Sequence, residues 1–159
     1  WTICLFGAEL TYAGQNLRNF SFDKDTQNIS RRYRDFISIL IMSLIAKRFE
    51  RNEPPYTAEE ISEEHQIPIR LTNQTLYQLQ EINLIHEVVT DQKSEEIAYQ
   101  PSMDLNQLNV AVVLDRLDTY GSENFKIDKE VEFSDEWRIL VESREEYYKK
   151  ASKVLLKEL

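Results

Sequence analysis

Apolar positions from Ser30 to about Phe49 recur at helical spacing, with Tyr33, Phe36, Ile37, Leu40 and Leu44 on one face and Ser30 suited to cap the start. The other faces are not polar. Ile39, Ile41, Met42 and Ile45 make the middle apolar nearly all round, and such a helix must be covered on two sides, by its own chain or by a second copy. Glu53-Pro54-Pro55 ends it. Thr57 with Glu60 has the pattern of a capping box and opens a short helix, Ala58 to Glu64. Beyond the tight connection His65-Gln66-Ile67-Pro68, a third helix is predicted to run to about Ile82. It turns Leu71, Leu76, Leu79 and Ile82 inward and Arg70, Asn73, Gln74, Tyr77 and Glu81 outward. Two helices joined by so short a turn make a helix-turn-helix.

Two short strand-like runs follow, Ile85 to Val89 and Ile97 to Gln100, around the polar loop Thr90 to Glu96, the position of a wing. A helix from about Asn109, through Val110, Val113, Leu114 and Leu117, is expected to stop at Tyr120-Gly121, with Gly121 left-handed. Ser122 to Phe133 is acidic and loop-like. Ser134 then caps a last helix, with Asp135 and Glu136 at its positive end, Lys149, Lys150 and Lys153 toward its negative end, and a stripe of Trp137, Leu140, Val141, Tyr148, Ala151 and Leu155. The fold class is therefore mainly α with a small β part: a winged helix-turn-helix with an N-terminal helix and a long C-terminal helix. The C-terminal helix is the candidate to cover the second face of the Ser30 to Phe49 helix. Phe36, Ile39, Ile41, Met42, Ile45, Trp137, Leu140, Val141 and Tyr148 then form the expected interface of a homodimer.

Composition narrows the chemistry. The 159 residues hold 3 Gly and 4 Pro, too few for the turns of a sandwich or a doubly wound sheet. Gly7, Gly14 and Gly121 lie too far apart for a phosphate loop. One Cys and 2 His can build neither an intrachain disulfide nor the usual zinc site, so no cofactor is expected. A net charge of -9 argues against a generic polyanion binder. The charge is uneven, however: residues 18–51 carry eight Lys/Arg against four acids, while residues 52–159 are strongly acidic.

Within the helix-turn-helix, Arg70, Asn73 and Gln74 are of the types that pair with guanine and adenine edges in a major groove, and Lys93 lies in the wing. Glu81 shares the face with them, and Asp91, Glu95 and Glu96 in the wing oppose phosphate contact. The carboxylates of Glu59, Glu60, Glu63 and Glu64, and of Asp115 and Asp118, read as solvated helix faces without a partner base. His65 and His86 read as hydrogen-bonded structural residues, and Cys4 as an inert thiol in an apolar setting. No catalytic residue is expected.

The opening Trp1 to Ala13 is mostly apolar and too short to span a bilayer, but it could be the end of a spanning helix, with the basic residues after it cytoplasmic by the positive-inside rule. Over residues 1–22 it resembles the end of the last transmembrane helix of the YihY/BrkB-like membrane proteins, through Gly7-Ala8-Glu9. That resemblance implies a bacterial inner-membrane protein whose membrane portion is the partner of a cytoplasmic region. The implied divisions are a membrane end at 1–17, a basic linker at 18–29, the winged helix at 30–121, and an acidic loop with the last helix at 122–159. Glu9, ionisable inside an apolar segment, is a site candidate. The family's older label, a tRNA-processing ribonuclease, would need a metal-binding His cluster that two distant His cannot form.

From Tyr56 to Gly121 the chain resembles the winged-helix domain of iron-sulfur-regulator-type repressors, through YTAEEIS, IRLTNQTLYQLQEINLI and VAVVLDRLDTYG. It lacks the cysteine trio that holds their cluster. The two resemblances together imply a non-enzymatic regulatory or assembly domain acting through protein contacts, with a membrane-tethered DNA- or RNA-binding module, or the tRNA-processing ribonuclease of the family's older label, as the alternative.

Overall fold

A computed structural model describes residues 28–91 and 95–159. Helix α1, Arg31–Glu50, begins at Ser30, whose hydroxyl accepts from the Tyr33 backbone N–H. It runs through the centre of the molecule. Ile37, Ile41, Met42, Ile45 and Ala46 are buried along it, each Ile or Met side chain stabilising by about 1.5–3 kcal/mol on full burial. Ser38 and Ser43 share this buried surface because their hydroxyls donate to the carbonyls of Arg34 and Leu40, at 2.9 and 2.7 Å, so neither hydroxyl is left unsatisfied.

Strand β1, Tyr56–Thr57, leads into α2, Ala58–His65, and α3, Ile69–Glu81. Thr57 accepts from the Glu60 N–H at 3.2 Å, one half of the capping box. The other half is diverted. The Glu60 carboxylate takes the Arg48 guanidinium of α1 at 2.7 Å instead, and Arg48 also lies over the Tyr56 ring at 3.5 Å. Gln66, with a left-handed φ of 54°, makes the turn between α2 and α3. Strands β2, Ile85–Asp91, and β3, Glu96–Pro101, pair antiparallel, and β1 adds to the far edge of β3, giving the order β1-β3-β2. Two of these strands match the expected runs; β1, at two residues, is too short to leave a periodic signal.

Helix α4, Val110–Asp118, is capped by Asn109, which accepts from the Val112 N–H at 3.0 Å. It ends before Tyr120-Gly121, and Gly121, at φ +123°, lies in the loop beyond. Helix α5, Ser134–Ala151, starts one residue earlier than a Ser134 cap would place it, because Phe133 holds the cap position without a side-chain bond. A 3-10 turn, Leu156–Glu158, follows.

That turn corrects the expectation about the cover on α1. The C-terminal helix packs on α4, while the terminal turn, α3, α4 and β3 pack on α1. The Leu156 N–H donates to the Leu108 carbonyl at 3.2 Å and the Val110 N–H to the Val154 carbonyl at 3.0 Å. Together they clip the chain end beside α4 with Leu156 fully buried. Ile41, Met42 and Ile45 are consequently sealed inside the chain, at no more than 1% exposure, and are not available to a second copy. Among the described residues no helix is long and apolar enough to cross a membrane. Gly7, Ala8, Glu9 and the rest of the opening segment lie outside the described residues.

Candidate nucleic-acid interface

Helix α3 divides its residues by face. Leu71, Thr72, Thr75, Leu76 and Leu79 are buried, and Arg70, Asn73, Gln74, Tyr77 and Glu81 are exposed. The buried threonines donate to the carbonyls of Pro68 and Leu71, so the inner face needs no outside partner. The helix is seated on the core while its polar side faces outward.

Asn73 and Gln74 face different surroundings. Asn73 borders a cleft of about 570 Å³ with Glu59 of α2 and Glu95, Glu96 and Tyr99 of the wing base, an acidic surface. Gln74 borders a groove of about 310 Å³ with Tyr77, Tyr120 and Arg34 of α1. One residue of the basic stretch, Arg34 of α1, therefore lies beside α3 in the same groove; Arg31 and Arg32 are exposed at the start of α1. Sequence reasoning separated these two features. The charge run was visible, but only the tertiary packing of α1 against α3 joins it to Gln74.

Acidic groups bound the surface. Glu81 raises the Tyr77 phenol above its ordinary value, through its charge first and a hydrogen bond second. The wing turns at Glu95, which has a left-handed φ of 52°, and Thr90 donates to the Glu96 carbonyl at 3.3 Å. Lys93 lies outside the described residues. His65 sits against the Tyr56 ring at 6.4 Å between centroids and 3.8 Å from Glu64; His86 is exposed on β2. Among the described residues no group of His, Cys, Asp or Glu is gathered that could hold a metal ion.

The remaining interface candidates are spread over the surface. Phe36 is exposed and Ile39 half-buried on α1; on α5, Leu140 is exposed and Trp137, Val141 and Tyr148 are half-buried. The Lys129 ammonium lies 4.3 Å from the centre of the Trp137 ring. Tyr148 donates to Asp118, which also binds Arg31 and, at 3.2 Å, Arg144. Burial and that bond to Asp118 push the Tyr148 phenol well above its ordinary range. Asp118 was legible only as part of a solvated acidic face, yet it joins α1, α4 and α5.

Solved structures share this arrangement. IscR of T. potens aligns over 82% of this chain and 85% of its own at a TM-score of 0.55 and 15% identity. CymR (YrzC), the global cysteine regulator of B. subtilis, aligns over 82% and 93% at 0.54 and 15%, and Staphylococcus aureus CymR over 79% and 93% at 0.53 and 14%. The chain has the winged-helix fold. At such identities the likeness is one of fold. No family model matches the sequence, and no curated protein is significantly similar to it. The likeness agrees with the repressor resemblance of residues 56–121; the YihY/BrkB resemblance rests on residues outside the described ones.

Proposed function

We propose that this winged helix is a non-enzymatic, DNA-binding regulatory module. The observation that carries this reading is the exposed face of α3, which presents Arg70, Asn73 and Gln74, with Gln74 sharing a groove with Arg34 of α1. Arg pairs bidentately with guanine, and Asn or Gln with adenine, each good pair discriminating by about 1–3 kcal/mol. Arg34, with the exposed Arg32 of the same helix, supplies phosphate contacts near the reading helix. The acidic rim of Glu59, Glu81, Glu95 and Glu96 keeps non-specific affinity low, so binding depends on the matched sequence. The structural neighbours include the global cysteine regulator of B. subtilis, which supports this reading over one confined to protein contacts. On the resemblance of residues 1–22, the module is proposed to be held at the cytoplasmic face of a bacterial inner membrane.

Selection of duplexes from a random pool, followed by fluorescence anisotropy at low and moderate salt, tests the DNA reading. A selected sequence should bind with a steep loss of affinity as salt rises. Arg70→Ala should cost about 1–3 kcal/mol and relax the preference at one position, whereas Arg34→Ala should weaken all sequences and lower the salt slope by about 1. Failure to enrich any sequence at low salt would overturn the proposal in favour of a protein-contact module.

A further inference from the structure

A second cleft, of about 570 Å³, opens between α1, the C-terminal end of α3, and α4. Its size suits one small molecule. Its charged groups divide into those already paired and those left over. Asp118 engages Arg31 on this wall and Arg144 from α5, and accepts the Tyr148 hydroxyl as well. Ser38 commits its proton to the Arg34 carbonyl. Two opposite charges remain without an ion pair among the described residues, and both line the cleft: the Asp35 carboxylate and the Arg34 guanidinium. Gln78 adds an amide, and Ile29, Leu117 and Tyr120 add apolar and aromatic surface.

We propose that this cleft binds a small zwitterion of the amino-acid class, with its ammonium on Asp35, its carboxylate on Arg34, and its side chain against Ile29, Leu117 and Tyr120. A simple cation would leave Arg34 unmatched and a simple anion would leave Asp35 unmatched. A ligand bearing both charges satisfies both, and fits a cleft that is mixed in charge instead of uniformly basic or acidic. The carboxyl of Asp35 is raised above its ordinary value by burial and then by Asp118, against the lowering effects of Arg31 and Arg144. Those two guanidiniums, spent on Asp118, leave it short of a cation, which an ammonium group would supply. Arg34 also borders the groove beside Gln74, so a ligand here meets the same guanidinium that flanks the proposed reading helix.

The test uses the whole chain and no DNA, so its outcome is independent of the proposed function. Thermal unfolding is followed with each of the common amino acids at about 10 mM. A site with a Kd of about 1 mM then raises Tm by about 3 °C. For a responding aliphatic amino acid such as leucine, calorimetric titration compares it with isoamylamine, which lacks the carboxylate, and 4-methylpentanoate, which lacks the ammonium. Each half-ligand is expected to bind at least about tenfold more weakly. Asp35→Asn should abolish the advantage of leucine over 4-methylpentanoate, and Arg34→Ala, a change at an exposed side chain, its advantage over isoamylamine. No response from any amino acid, equal binding of the half-ligands, or binding unchanged in both variants overturns the proposal.

Discussion

At Tyr148 and Asp118, single side chains decide how separate helices are joined. Asp118 receives the Tyr148 hydroxyl and the guanidiniums of Arg31 and Arg144, so one carboxylate ties the ends of α1 and α4 to α5. The tie requires the phenol to keep its proton. Its folded pKa is raised above the ordinary 10.0, so the stability it contributes is complete below about pH 10 and is lost as pH rises above that toward the folded value. Tyr148→Phe is expected to cost about 1 kcal/mol at neutral pH and to flatten the alkaline loss of stability above pH 10. Denaturant unfolding across that pH range checks it; an unaltered slope would show that the tie does not form. None of this was legible in the sequence. A Tyr in a helical stripe and an Asp on a charged face, 30 residues apart, carry no local sign that they meet.

Elements with strong local signals were legible, and those made by long-range closure were not. Thr57 and Ser30 each cap the helix expected of them, because the bond runs from a side chain to an N–H three residues on, whereas the expected Ser134 cap gives way to Phe133. The inward and outward residues of α3 follow from period alone, and so its candidate reading face could be named in advance. The cover of α1 was misassigned for the opposite reason. The eight residues 152–159 beyond α5 carry no local sign that they fold back, whereas an amphipathic helix of 18 residues looked like ample cover. Leu156 is fully buried at that closure, and Leu156→Ala should destabilise by about 2–5 kcal/mol. A chain in which α5 instead covered α1 would lose little from the same change, so a urea midpoint shift distinguishes the two arrangements.

At the scale of the molecule, the closure leaves α5 with an unresolved obligation. The terminal turn has taken over the burial of α1, and none of the 18 residues of α5 is buried, although it carries Ile139 at 59% exposure, Leu140 at 49% and Tyr147 at 50%. Apolar groups on a helix held by one neighbour are the surface a second copy would use. The homodimer expected from the sequence is therefore argued from α5 alone, without Ile41, Met42 and Ile45. Sedimentation equilibrium should show a concentration-dependent species of twice the 18.9 kDa chain mass. Replacing Ile139 and Leu140 together by Glu should return the monomer mass while far-ultraviolet circular dichroism stays unchanged, since both side chains are exposed. A dimer would also present two α3 helices, and a two-fold pair reads half-sites about one turn, 10–10.5 base pairs, apart. Selected DNA should then contain an inverted repeat, and the Glu variant should retain half-site contact while losing the affinity gained by joining the two halves. A wild-type chain that sediments as a monomer at every concentration, with selected sites lacking symmetry, would leave α5 as surface and the recognition helix working singly.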